Sequence, residues 1–264
     1  RPHPPFDPPG FYLNLYNDIK FSNPIVGNWS KCHETFSTSV SGRYGKIDDK
    51  YYKLMKKAYY AQITHIDYQI GRLVRFLQKN SLYDETLIIF TSDHGEMLGD
   101  HHMLKKSVPF NAAIKIPLII KGSSIKPKVE NKLITHIDIM PTILEFLDQK
   151  KAHLDGVSIL SDEKRDVLVG EHPSDKGWNY IIDGNYKYIW DSIKGQEWIF
   201  DFKHDQLEIQ NLIGVIDNET LEIMRDKLVN SFKERNLTQF LDGNKLKTGS
   251  VLPACDENIT NINL

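Results

Sequence analysis

The run Leu87-Ile-Ile-Phe90 is short, apolar and rich in β-formers, and it stops abruptly at Thr91-Ser-Asp-His-Gly95. Such a run predicts a buried strand followed by a polar loop. Asp93 and His94 then stand at the carboxyl end of that strand, where an open α/β sheet places its ligand site. A carboxylate and an imidazole are both metal-competent groups. Lys106 follows thirteen positions after Asp93 and adds a fixed positive charge. A cation together with a lysine is suited to holding a tetrahedral oxyanion such as sulfate or phosphate. The plainer reading of Asp93 and Gly95 alone is a turn after a strand, since both residues favour turns for backbone reasons.

The surrounding pattern is that of an α/β chain. Residues 1–47 are rich in Pro, Asn, Ser and Gly, with five prolines in the first nine positions, and read as a loop-rich surface connection able to deliver His3 to a pocket. Asp48 to Lys79 is the clearest helix: Tyr51, Leu54, Met55, Ala58, Gln62, Ile66, Ile70, Leu73, Val74 and Leu77 recur at three- and four-residue steps. Asp48 or Asp49 suits its start and Asn80 its end. A second apolar strand falls near Leu118–Lys121, and a helix from Asp138, as N-cap, runs through Leu147 with Pro141 in its first turn. Strands alternating with helices predict a mainly parallel or mixed sheet covered on both faces.

Near residue 160 the pattern changes. Val167–Glu171, Asn179–Ile182, Tyr186–Trp190 and Glu197–Phe202 read as short strands, with Asp183-Gly-Asn185 and Lys194-Gly195 as hairpin signals. A helix from about Asn218 to Arg235 packs over them through Leu221, Met224, Leu228 and Phe232. The division expected is therefore 1–160 for an α/β part and 161–264 for a small antiparallel α+β subdomain with a weakly patterned tail from Thr248. Trp190, Trp198, Tyr59 and Tyr60 are expected in the core, and His33, His153, His172 and His204 at the surface.

Composition excludes some classes of function. A net charge of −2 gives no electrostatic case for binding nucleic acid or an anionic membrane. No apolar run of bilayer length occurs in the sequence. Two cysteines, Cys32 and Cys255, do not make a disulfide framework. Asn28, Asn218, Asn236 and Asn258 sit in Asn-x-Ser/Thr sequons, a motif with a high rate of chance matches. The compartment is left open.

Ser92-Asp-His-Gly95, Leu98-Gly-Asp-His101, Lys106 and Ile116-Pro-Leu-Ile-Ile120, in that order, resemble the sulfatase family of the alkaline-phosphatase-like superfamily. Arg1-Pro-His-Pro-Pro-Phe-Asp-Pro8 resembles its histidine-bearing Pro-rich element. Thr135-His-Ile-Asp-Ile-Met-Pro-Thr-Ile143 is similar to a later helix entry of the family. Tyr186-Lys-Tyr-Ile189, Trp198-Ile-Phe-Asp-Phe202 and Asp205 to Leu212 are similar to its carboxyl-terminal antiparallel part. The resemblance implies a partial alkaline-phosphatase/sulfatase-like mixed sheet flanked by helices. It also implies that Asp93 and His94 ligate a divalent cation, usually calcium. By the same correspondence Lys106 contacts the sulfate, His3 assists the leaving alcohol near the ester oxygen, and His101 borders the pocket. The implied substrate is a small-molecule or glycan sulfate ester.

The sequence departs from the family at one essential place. Sulfatases carry a Cys/Ser-x-Pro-Ser-Arg run whose first residue becomes formylglycine, and neither cysteine nor any serine here lies in one. The family's first acidic ligand pair has no counterpart either. The expectation is a carboxyl-terminal portion of a longer sulfatase, with formylglycine in the amino-terminal part and the isolated chain inactive. Two other readings stand beside it: a phosphodiester or phosphonate monoester hydrolase of the same superfamily, and a non-catalytic binding or scaffold protein that keeps the fold.

Overall fold

A computed structural model describes residues 1–34, 44–149, 154–172 and 177–249. His153, Cys255, the sequon at Asn258 and most of the tail lie outside them. The chain divides into two compact units: Arg1–Lys106 with Ala112–Lys128, and Ser107–Asn111 with the chain from Val129 onward. The second unit thus takes in the stretch from 129 to 160 together with the antiparallel sheet.

In the first unit the Pro-rich segment leads into a short helix, α1 (Gly10–Asn14), and then to α2 (Asp49–Lys79). Asp48 caps α2 by accepting from the Lys50 amide, and Asn80 ends it with its side-chain amide on the Phe76 carbonyl. The amino-terminal segment lies along α2. Phe6 meets Tyr59 edge-on at 5.6 Å, Tyr12 stacks on His65 at 4.6 Å, and Gln62 Nε2 donates to Asp7. Ala58, Ala61, Gln62 and Tyr52 are the buried face of α2, while Tyr51, Leu54 and Leu73 of the expected apolar side are exposed, as is Phe76. Tyr60 is also exposed, at 41%, contrary to its expected core position.

β1 (Ile88–Thr91) and β2 (Leu118–Lys121) pair antiparallel, Phe90 opposite Ile119 and Thr91 opposite Leu118. A single helical turn, α3 (Asn111–Ile114), precedes β2 in the chain. The two strands form a two-stranded antiparallel sheet, and no parallel pair occurs among the described residues, where a mainly parallel or mixed sheet was expected. β1 is half-buried along its length where a buried strand was expected. Among the described residues it has one hydrogen-bonded neighbour, so its second edge pairs with no described strand.

The second unit holds the dense core. α4 (Ile139–Phe146) follows a single turn of 3-10 helix, His136–Asp138. Asp138, expected as the cap of α4, makes no side-chain bond to its first turn and instead completes a capping box opened by Thr135. Its carboxylate accepts from the Thr135 and Val157 amides and makes a bidentate pair with Arg165 at 2.7 and 2.8 Å. β3 (Leu168–Glu171), β4 (Trp178–Ile182), β5 (Tyr186–Asp191) and β6 (Glu197–Asp201) form an antiparallel meander in sequence order. Asp183 closes the β4–β5 turn by accepting from the Asn185 and Tyr186 amides. α5 (Asn218–Glu234), capped by Asp217 on the Thr220 amide, lays Met224, Leu228 and Phe232 on Ile181, Tyr188, Trp190 and Ile199. A two-residue ribbon, β7 (Leu241–Asp242) with β8 (Lys245–Leu246), follows Phe240. Trp190 and Trp198 are buried as expected. Among the described residues no helix is long and apolar enough to cross a membrane.

Candidate active site

β1 ends at Thr91, whose hydroxyl donates to the Pro117 carbonyl beside β2. The chain then turns through Ser92, Asp93, His94 and Gly95. The Gly95 amide donates to the Ala113 carbonyl at 2.7 Å, and a Cβ at Gly95 would lie 2.1 Å from the Ala112 oxygen. Only glycine permits that approach of two backbones.

Asp93 Oδ1 accepts from the His94 amide at 2.9 Å, and its Oδ2 lies 3.4 Å from His94 Nε2. The side chain of Asp93 is 84% exposed and open to a ligand. Its slight burial opposes ionisation. The His94 amide, the His94 charge and the Ser92 hydroxyl outweigh that and hold the carboxyl below the usual aspartate range. His94 Nδ1 is 2.8 Å from the Gly95 carbonyl, so Nδ1–H donates there and Nε2 is the ring nitrogen left to face Asp93. With metal–donor bonds of about 2.0–2.6 Å, neighbouring ligands on one cation are roughly 3–3.6 Å apart, which the Oδ2–Nε2 spacing fits. The donor set suits a divalent cation, yet it is only part of one: no group of three potential ligands occurs among the described residues.

Residues 97–105 form a closed loop that brings Lys105 back to Met97 and Lys106 within electrostatic reach of Glu96. The Met97 amide donates to the Lys105 carbonyl and the Gly99 amide to the Met103 carbonyl, at 2.9 and 2.8 Å. Gly99, at φ +96°, and His101 and His102, at +54° and +58°, make the reversal. Met97 and Met103 anchor it in the interior. His101 is 3% exposed, with Nδ1 accepting from the Gly27 amide at 3.0 Å and its ring against Trp29 at 4.8 Å. It fixes the 25–29 loop from beneath.

Lys106 Nζ meets His3 Nε2 at 3.0 Å, across 103 residues of sequence. His3 Nδ1 is 2.7 Å from the Pro4 carbonyl. Nδ1–H therefore donates to Pro4, and Nε2 accepts from the Lys106 ammonium. Arg1 holds the histidine's own segment in place, with Nη1 on the His3 and Pro5 carbonyls and Nη2 on Asp7.

Sequence reasoning missed Glu96. Burial pushes its carboxyl up, opposed by the Lys105 and Leu98 amides and by the charges of Lys106 and His94. One carboxylate feels both positive groups, so the Asp93–His94 pair and the His3–Lys106 pair share an electrostatic environment. Its place directly after Asp-His-Gly was the available signal. His33 was expected at the surface but packs between Trp29 and Tyr44, 6.1 and 4.8 Å away. His204 is exposed and bonded to Asp201, as a surface histidine should be.

Known proteins resemble this chain along most of its length. The sulfatase family profile matches residues 23–149. An arylsulfatase of Clostridium perfringens is 35% identical over 272 residues, covering 94% of this chain and 55% of the relative. A choline-sulfatase of Rhizobium meliloti is 26% identical, covering 86% of this chain and 48% of the relative. A solved phosphonate monoester hydrolase of Silicibacter pomeroyi superposes with a TM-score of 0.74 at 25% identity, over 90% of this chain and 54% of that one. The chain spans about half the length of the relatives it matches. With Asp93, His94, Lys106 and His3 disposed as described, these similarities make the chain a member of the sulfatase family.

Proposed function

We propose that this chain forms the cation-binding and leaving-group side of an enzyme that hydrolyses a sulfate ester to an alcohol and sulfate. Asp93 and His94 hold a divalent cation, calcium first. Lys106 binds the sulfate, His3 works at the ester oxygen, and His101 borders the pocket through the 25–29 loop that it fixes. The single observation that carries this reading is the contact of Lys106 Nζ with His3 Nε2 at 3.0 Å. It joins a fixed cation to a proton-transfer group at one point, as a departing ester requires.

The roles follow from atoms. An anionic sulfate competes with His3 for the Lys106 ammonium, which can turn its donors to sulfate oxygens. His3 Nε2 is then the atom at which a proton is held and passed to the alkoxide as the ester S–O bond breaks. Nδ1–H on the Pro4 carbonyl keeps the ring oriented throughout. A dication bound by Asp93 and His94 would draw negative charge from the sulfate oxygens. The attacking group has no candidate among these residues, since no Cys/Ser-x-Pro-Ser-Arg run occurs. The proposed reaction takes its attack from a formylglycine that these residues do not supply.

The test is Asp93→Ala in the longest natural polypeptide that contains this chain. Loss of aryl sulfate turnover together with loss of bound metal is expected, and wild-type turnover would overturn the assignment. A second reading, phosphonate or phosphate ester hydrolysis, is favoured by the likeness to the Silicibacter pomeroyi hydrolase. Sulfate and phosphate esters present the same tetrahedral anion to Lys106. Parallel assays with aryl sulfate, aryl phosphodiester and phenylphosphonate esters separate the two by the ratio of kcat/KM values.

A further inference from the structure

Between Met97 and Lys106 the backbone enters the left-handed region at Leu98, His101, His102 and Lys105, with φ of +47°, +54°, +58° and +66°, besides Gly99 at +96°. For a residue with a side chain this conformation presses Cβ on the following carbonyl oxygen, and it persists only where the surroundings impose it. Part of what imposes it here comes from outside the loop. Asp100 Oδ1 accepts from the Ile25 amide at 2.9 Å, and the His101 amide donates to the Ile25 carbonyl at 2.6 Å. Both backbone groups of Ile25 are thus held by two adjacent loop residues. His101 Nδ1 takes the Gly27 amide at 3.0 Å, and the Gly45 amide donates to the His102 carbonyl at 2.8 Å. Gly99 lies against Tyr52 of α2, whose ring a Cβ there would meet at 3.1 Å, and the Tyr52 hydroxyl donates to the Ser22 carbonyl at 3.2 Å. Segment 22–27 is therefore tied to the loop and to α2 together.

A connection from Met97 to Lys106 does not need this strain, because eight residues can bridge that gap with ordinary dihedrals. The strained path has its effect at its end. Lys105, at φ +66°, is the residue before Lys106, so the left-handed turn there sets the direction in which Lys106 leaves the loop. Lys106 carries a long side chain with many rotamers, and its Nζ lies 3.0 Å from His3 Nε2. Fixing the backbone beneath such a side chain removes much of the freedom that would otherwise have to be lost when an anion binds.

We infer that Asp100 is a positioning residue for Lys106: with the His101 amide it clasps Ile25, and the clasp holds residues 98–105 on the left-handed path that presents Lys106 to His3 and to a bound oxyanion. The functional half of this inference rests on the proposed hydrolysis, whereas the clasp itself does not. Asp100 is assigned no contact with substrate. Its role lies in the hydrogen bond that Oδ1 accepts and not in its charge, so an asparagine can perform it. A shift of about 1 Å in a positioned group can cost on the order of 100-fold in rate, so a clasp several residues from Lys106 is enough to matter.

The experiment compares Asp100→Ala with Asp100→Asn in the longest natural polypeptide containing this chain. Asp100→Ala should lower kcat/KM for an aryl sulfate about 10- to 100-fold. Asp100→Asn, which keeps Oδ1 for the Ile25 amide, should recover most of that loss. In a Lys106→Ala background Asp100→Ala should cost little more, because a lysine that is absent cannot be misplaced. Equal losses in the alanine and asparagine variants, or strict additivity with Lys106→Ala, would overturn the inference. Amide exchange in the wild-type protein needs neither turnover nor a folded alanine variant. Corrected for intrinsic rates, the Ile25, Met97, Gly99 and His101 amides should share one protection factor, as parts of one opening unit. Ile25 exchanging far faster than Met97 and Gly99 would sink the clasp. If the wild-type protein hydrolyses none of the esters, the proposed function fails, and this exchange pattern alone decides the clasp.

Discussion

Lys187 and Lys106 each hold an ammonium within hydrogen-bond reach of a partner, and they illustrate two uses of charge in one chain. In the second unit, Lys187 faces Glu208 and Arg165 faces Asp138, each cation against a carboxylate and away from solvent. In the first unit, Lys106 meets an imidazole and Asp93 stands 84% exposed. A charge neutralised in the interior holds backbone segments together and has nothing left for a ligand. A charge turned toward an imidazole at an open surface keeps its attraction for an anion, because that partner carries no opposing charge when it accepts the hydrogen bond. The two helices differ in parallel. α5 buries Met224, Leu228, Val229 and Phe232 within seventeen residues, while thirty-one-residue α2 buries chiefly small or polar side chains beside Tyr52.

The contrast can be broken most directly at Asp138. Asp138→Ala should destabilise the protein by about 3–5 kcal/mol, since it strands the Arg165 guanidinium and two amides; a chemical denaturation curve superposing on the wild type would refute this. On the proposed hydrolysis, Lys106→Ala should do the reverse, lowering turnover about 10²- to 10³-fold with an unmoved unfolding midpoint. A stability loss comparable to that of Asp138→Ala would erase the distinction between the two regions.

Acid sharpens it further. Burial opposes ionisation of Asp138, but the Arg165 hydrogen bonds and the Thr135 and Val157 amides prevail and hold its carboxyl below the usual range. A depressed carboxyl contributes its full stability above the unfolded value of about 3.9 and loses it as pH falls through the lower folded value. Denaturation midpoints measured from pH 5 downward should therefore fall, and less so in Asp138→Asn. The smallest effect belongs to Lys46 and Glu34, whose side chains are each half exposed. Glu34→Gln should change stability by less than about 1 kcal/mol, an effect that added salt removes.

Much of the fold was legible in the sequence because its signals are local. The bounds of α2 follow from apolar spacing closed by Asp48 and Asn80, those of α5 from apolar spacing alone, and β3 to β6 each fall within a residue of expectation because turn residues separate them. Asp93 and His94 were legible for the same reason: they are adjacent, and a strand end positions them together. Burial was not legible. Ile119, Tyr60 and the outer apolar side of α2 are exposed, because an apolar pattern states which face could be covered and not whether anything covers it.

By itself, then, the sequence determined the elements, the class of fold and the residue types from which an oxyanion site could be made. The tertiary structure alone decided that Lys106 and His3 meet, that Gly95 must be glycine because Ala112 backs onto it, and that Lys187, Glu208 and Asn111 form one cluster. Hydrogen bonds and apolar periods within a few residues leave a trace in the order of amino acids. Contacts spanning 103, 97 or 76 residues leave none, since they arise only when folding closes the long loops between them.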